Sequence, residues 1–184
     1  MSLTYSQMLP LGTIMPNFSL INVMNNKTYS NKDLLSNQST VIMIICNHCP
    51  YVIHYHGEIK LLVSKYLKTG VNFIAISSND VINYPQDSPD KMKELFNDLA
   101  LSIPYLYDES QEVAKSFKAE CTPEFYLFDK SKRLVYRGRL DSSSPGNGEE
   151  ITGEDFRTAL DLCIDGKEIN STQYPSMGCN IKWK

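Results

Sequence analysis

Two cysteines, Cys46 and Cys49, stand in the run Cys46-Asn47-His48-Cys49-Pro50. The apolar stretch Val41 to Ile45 precedes them, and a helical pattern from Tyr51 to about Lys68 follows. The order is therefore strand, CxxC, helix. Cysteines at this spacing in a first helical turn face the same side. Unpaired N–H groups and the positive end of the helix dipole gather there and favour an anion. For cysteine that anion is the thiolate, which attacks disulfides and peroxides. Pro50 fits because the N–H it lacks would have no partner in the first turn. A CxxC at a β–α junction points to thiol redox chemistry.

The alternative chemistry for such a pair is half of a zinc site. Zinc would need two more ligands at similar spacing, and no second CxxC and no HxxxH is present. A site from Cys46, Cys49, His54 and His56 would be geometrically awkward along one continuous helix. No metal and no cofactor is expected, and His54 and His56 read as surface or partly packed residues.

The elements that must position the pair follow from pattern. Residues 1–16 read as irregular. Phe18–Val23 and Lys27–Tyr29 flank Asn25-Asn26 as a hairpin. Ser30 opens a short helix with Asp33 as a capping box. Val41–Ile45 is apolar throughout, a strand buried on both faces. The helix after Cys49 carries Val52, Ile59, Leu62, Val63 and Tyr66 on one stripe and ends at Gly70. Val71–Ile76 is the next strand, and Ser77–Gln86 is a polar loop. Ser88-Pro89 opens a helix. Tyr105–Tyr107 is a short strand, followed by a helix bearing Val113 and Phe117. Phe125–Phe128 and Leu134–Arg139 pair across the turn at 129–132. A last helix follows Thr152, with Cys163 on its buried stripe. These elements give an α/β fold with a mixed central β-sheet flanked by helices.

The 184 residues suit one domain, 1–184, with 171–184 as an irregular tail packed on it. A net charge of −3 gives no electrostatic case for nucleic acid or an anionic membrane. The first twenty residues lack a basic region followed by an apolar run, so no leader or membrane span is read. Five cysteines, an odd number, cannot all pair. With no export signal, reduced or cycling thiols in the cytoplasm are expected.

Several stretches resemble the AhpC/TSA, peroxiredoxin-like branch of the thioredoxin-like superfamily, in its bacterial form with a CNHCP motif. They are Met8 to Phe18 (MLPLGTIMPNF), Cys46 to Val52 (CNHCPYV), Cys121 to Asp129 (CTPEFYLFD), Tyr136 to Asp141 (YRGRLD) and Gly178 to Trp183 (GCNIKW). The resemblance implies a thioredoxin-like fold with an N-terminal β-hairpin extension and a C-terminal tail. It also implies that Thr122-Pro123 is a cis-proline turn beside the CxxC. Residue 122 would then offer its backbone to an extended substrate chain lying across Cys46.

On this reading Cys46, the more exposed sulfur, is the nucleophile, and Cys49 resolves the mixed disulfide. An imidazolium at His48 would stabilise the Cys46 thiolate and make the disulfide more oxidising. Cys121 reads equally as a third exchanging thiol or a small buried residue. Cys179 reads as a tail residue packed on the body, with contact to the centre left open. Glu124 is the candidate for a buried carboxylate that moves the second thiol's proton. The expected activity is thiol–disulfide oxidoreduction on protein or small-molecule disulfides, with a thiol reductant such as a thioredoxin system. The alternative is a thiol peroxidase in which Cys49 attacks peroxide and Cys46 resolves. The family pattern P-x-x-x-T-x-x-C is kept at Cys49-Pro50 but has Cys46 for the Thr and Ile42 for the Pro. In that case Arg137 or Arg139 would supply a positive charge. A non-catalytic zinc or partner-binding module is the third reading. Oligomeric state is not legible.

Overall fold

The computed structural model describes residues 3–184. A seven-stranded sheet forms its centre. In chain order its strands are β2 (Ser19–Asn22), β3 (Lys27–Ser30), β4 (Thr40–Ile44), β5 (Asn72–Ser77), β6 (Tyr105–Tyr107), β8 (Glu124–Phe128) and β9 (Leu134–Gly138). Across the sheet they run β3-β2-β6-β5-β4-β8-β9. β4–β5 and β5–β6 are parallel, and every other pairing is antiparallel. A second sheet of three short strands sits beside it. It comprises β1 (Leu3–Tyr5), β10 (Met177–Asn180) and β7 (Cys121–Thr122), with β10 in the middle. The two ends of the chain, expected to be irregular, thus meet as strands: β1 pairs β10, which pairs β7.

β4 is the axis of the core because both its faces are apolar. Val41 and Met43 enter one hydrophobic layer and Ile42 and Ile44 the other. The first layer is completed by α2 (His56–Tyr66), α3 (Pro89–Asp98) and α5 (Glu154–Ile164), through Ile59, Leu62, Phe96, Phe156 and Leu160. The second holds Phe117 beside α4 (Glu112–Ser116), with Leu9, Met15 and Phe18 from the N-terminal segment. Burying a large apolar side chain contributes roughly 1.5–3 kcal/mol. The continuous apolar run of β4 therefore fixes the strand, and with it the position of Cys46 two residues beyond its end.

The helix expected over 51–68 is two helices. α1 (Pro50–His54) stops at Tyr55, whose N–H bonds Val52 O at 3.0 Å, a tighter turn than the α-helix makes. Gly57 lies just past the break, where its low helix propensity opposes a straight run. The Tyr55 hydroxyl is anchored to Asp141 Oδ1 at 2.8 Å and to Ser143 O at 2.7 Å. The hairpin, the Ser30–Asp33 capping box and the left-handed Gly70 all occur where expected.

Candidate active site

Cys46 lies in the loop between β4 and α1, not in a helical turn. Cys49 is the residue that caps α1, and Pro50 is its first helical residue. The dipole and free amides expected at Cys46 thus act on Cys49. The two cysteines are 1% and 0% exposed, so neither sulfur is open to solvent. None of the five cysteines is in a disulfide.

Thr122 meets both sulfurs. The Thr122–Pro123 bond is cis. Thr122 Oγ1 lies 3.4 Å from Cys46 Sγ, and the Cys49 thiol donates to Thr122 O at 3.2 Å. The neighbouring Cys49 thiol is the main cause that pushes Cys46 up, followed by burial and the Asp87 carboxylate. Cys46 in turn lowers Cys49 to about 5; burial opposes it, and Cys179, Thr122 and the Val52 amide assist. Of the pair, Cys49 is the more acidic thiol and Cys46 the less acidic.

His48 lies near Cys46 but is held by Asp87. Its Nδ1 lies 2.6 Å from Asp87 Oδ2, and its ring stacks on Tyr84 at 5.6 Å between centroids. Asp87 is wholly buried. Its Oδ1 accepts the Asn47 amide at 2.8 Å and the His48 amide at 3.2 Å, and its Oδ2 also accepts Asn79 Nδ2 at 2.8 Å. One carboxylate therefore holds the whole interior of the CxxC loop. Sequence reasoning missed it, because Asp87 lies thirty-eight residues past Cys49 at the end of a polar loop with no motif of its own.

Cys46, His48 and Asp87 form a set whose donor atoms lie within 4.8 Å of one another. Cys, His and carboxylate donors suit zinc. The four acceptor positions of Asp87 are already taken by those four hydrogen bonds, which argues for a structural carboxylate. His54 and His56 lie outside the set. His54 Nε2 bonds Ser143 Oγ at 3.0 Å, and burial lowers the pKa of His56.

One edge of Thr122 is occupied by β10, with Cys179 opposite Thr122 and Asn180 opposite Cys121. Gly178 makes the approach possible, since a Cβ there would overlap the Thr122 carbonyl. Cys179 lies in the same buried cluster as Cys46 and Cys49, and burial first and then Cys49 push its thiol up. Cys121 is buried with its thiol 3.5 Å from Glu124 Oε1, and burial and the Glu124 charge push it up. Cys163 bonds Ser39 Oγ at 3.2 Å, inside the core as its stripe predicts.

Glu124 is a buried carboxylate, but the groups it holds are the Tyr126 hydroxyl, the Glu120 amide and Arg137. Arg137 Nη2 bonds Glu124 Oε2 at 3.2 Å and Lys118 O at 3.0 Å. Arg139 Nε pairs with Asp155 at 2.7 Å. Neither arginine is among the groups that shift Cys46 or Cys49, so the positive charge expected beside the sulfurs is committed elsewhere. Among the described residues, no helix is long and apolar enough to cross a membrane.

No curated protein matches the chain. Solved structures do. An uncharacterized conserved protein from Geobacillus kaustophilus is 49% identical, with a TM-score of 0.97 over 100% of this chain and 97% of its own. A hypothetical protein from Sinorhizobium meliloti is 35% identical, with a TM-score of 0.95 over 98% of each chain. The thioredoxin domain of a thiol-disulfide oxidoreductase from Bacteroides vulgatus is 12% identical, with a TM-score of 0.65 over 85% of this chain and 99% of its own. That last likeness supports the thioredoxin-like fold alone. Residues 10–156 match the redoxin family profile, and the chain belongs to the redoxin family.

Proposed function

We propose that the chain is a thiol–disulfide oxidoreductase whose redox couple is Cys46 and Cys49. The observation that carries this reading is that the two buried cysteines of the CxxC both meet Thr122, Cys46 Sγ at 3.4 Å from its hydroxyl and Cys49 Sγ at 3.2 Å from its carbonyl. The Cys49 thiolate attacks one sulfur of a substrate disulfide and expels the other as a thiolate. Cys46 then gives up its proton and attacks Cys49 Sγ. The Cys46–Cys49 bond forms, the mixed disulfide breaks, and the substrate leaves as two thiols. A thiol reductant restores the dithiol. Because β10 fills one edge of Thr122, small disulfides suit the site better than an extended polypeptide.

The test is turnover with glutathione disulfide and with insulin, using wild type, Cys46→Ser, Cys49→Ser and Cys46→Ser/Cys179→Ser. Cys49→Ser should lose turnover and Cys46→Ser should show it diminished, Cys46→Ser/Cys179→Ser should trap a mixed disulfide on Cys49, and glutathione disulfide should be the faster substrate. Undiminished turnover in either single variant contradicts the reading.

A second reading, peroxide reduction, is favoured by one feature. The acidic thiol is the one followed by Pro50, and its burial admits only a small oxidant. Cys49 would become the sulfenic acid, and Cys46 would condense with it to a disulfide and water. Fast oxidation by hydrogen peroxide that survives Cys46→Ser and vanishes in Cys49→Ser distinguishes it.

A further inference from the structure

We propose that Cys179 is a third thiol of this centre and takes the disulfide over from Cys46 by direct exchange at Cys49; the proposal rests on the Cys46–Cys49 couple above. Thr122 places all three sulfurs. It lies 3.4 Å from Cys46 through its hydroxyl and 3.2 Å from Cys49 through its carbonyl, and it stands opposite Cys179 in the β7–β10 pairing. Cys46, Cys49 and Cys179 share one buried cluster, and α1 packs on β10.

Cys179 is held on both sides, not carried on a loose end. Upstream, Ser6 N bonds Ser176 O at 3.0 Å, and β1 flanks β10. Downstream, Ile181 N bonds Glu120 O at 3.0 Å and Lys182 N bonds Asn79 Oδ1 at 2.8 Å. Asp80 N returns a bond to Lys182 O at 2.8 Å. The C-terminal segment thus bridges the cis-proline turn and the loop that carries Asp87. The glycine at 178 lets the two backbones approach, which sets the distance of the neighbouring thiol from Cys49.

The exchange balances within the chain. Cys179 Sγ attacks Cys49 Sγ in the Cys46–Cys49 disulfide. The Cys49–Cys179 bond forms, the Cys46–Cys49 bond breaks, and the electron pair leaves on Cys46 Sγ. The proton lost by Cys179 ends on Cys46. Cys179 is oxidised, Cys46 is reduced, and no outside oxidant or reductant enters.

Burial first, and then Cys49, hold Cys179 up at about 12 in the dithiol state, against the pull of Lys182. Once Cys49 is in a disulfide its charge is gone, and the part of the rise that it causes is relieved. The product ties the C-terminal strand to the start of α1 and leaves Cys46 as a thiol.

The test uses the full chain as wild type, Cys46→Ser and Cys46→Ser/Cys179→Ser. Each is oxidised with diamide, blocked with N-ethylmaleimide, digested with trypsin without reduction and read by mass spectrometry. Cys46 and Cys49 share the tryptic peptide 33–60, and Cys179 lies in 168–182. Wild type should give both a disulfide within 33–60 and a bond joining 33–60 to 168–182. Cys46→Ser should give the joined peptides as its main monomeric product, and the double variant should give none. Joined peptides absent from both wild type and Cys46→Ser overturn the proposal, even if the disulfide within 33–60 forms. Absence of that internal disulfide in wild type, with the joined peptides present in Cys46→Ser, overturns the Cys46–Cys49 couple instead.

Discussion

Cys49 is the more acidic thiol because of its neighbours Cys46, Cys179 and Thr122 and the Val52 amide, whereas Cys46 lies beside the Asp87 carboxylate. Ultraviolet titration of the reduced protein should therefore show one thiolate appearing near pH 5. Cys49→Ser should abolish that step, and Cys46→Ser should move it to higher pH by removing its main cause. The sign for stability follows. A pKa depressed from 9.0 to about 5 contributes stability that is full above the unfolded value and is lost as pH falls through about 5. Asp87 gives a second prediction at this scale. Asp87→Ala leaves the Asn47 and His48 amides without their acceptor and should cost about 1–3 kcal/mol in chemical denaturation. Asp87→Asn keeps an acceptor but removes the charge, and should make the Cys46 thiol more acidic in the same titration. The CxxC was legible because two cysteines between a strand and a helix are a local pattern. Asp87 was not, because a buried carboxylate in a polar loop looks like any solvated aspartate until the loop folds back. The helix begins at Pro50, so its terminal amides fall to Cys49 rather than to Cys46.

At the scale of elements, β10 is what sets this site apart from an open redox cleft. It closes one edge of Thr122, covers Cys49 and brings Cys179 to it. Gly178→Ala puts a Cβ into the Thr122 carbonyl and should push the strand away. The expected cost is about 1–3 kcal/mol, typical of overpacking. Iodoacetamide labelling of Cys49 should also quicken relative to wild type. Unchanged stability and labelling would show that β10 does not cover the thiol. Strands such as β4 and β5 were legible from their apolar runs, which have one reading in a buried sheet. β10 was not: Met177–Asn180 is short and mixed in polarity, and its partner Cys121–Thr122 is more than fifty residues earlier. The break at Tyr55 escaped the apolar stripe because α1 and α2 keep facing the same core. Only the contacts of Tyr55 with Asp141 and Ser143 mark it.

Over the whole molecule, a sheet with a hydrophobic layer on each face presents one loop, one cis-proline turn and the C-terminal strand around a single sulfur. The fold was legible because alternating strands and helices with a closing hairpin leave few arrangements that bury both faces of β4. A stabilised thiolate favours the reduced state and so makes the disulfide more oxidising. The most direct measurement is a redox titration of the full chain carrying Cys179→Ser in glutathione buffers, followed by intact mass. The account predicts an intramolecular two-electron transition that loses two hydrogens, lies between Cys46 and Cys49, and has a potential less negative than the roughly −270 mV of thioredoxin. No internal disulfide at any potential, or only a glutathione adduct on one cysteine, would contradict it.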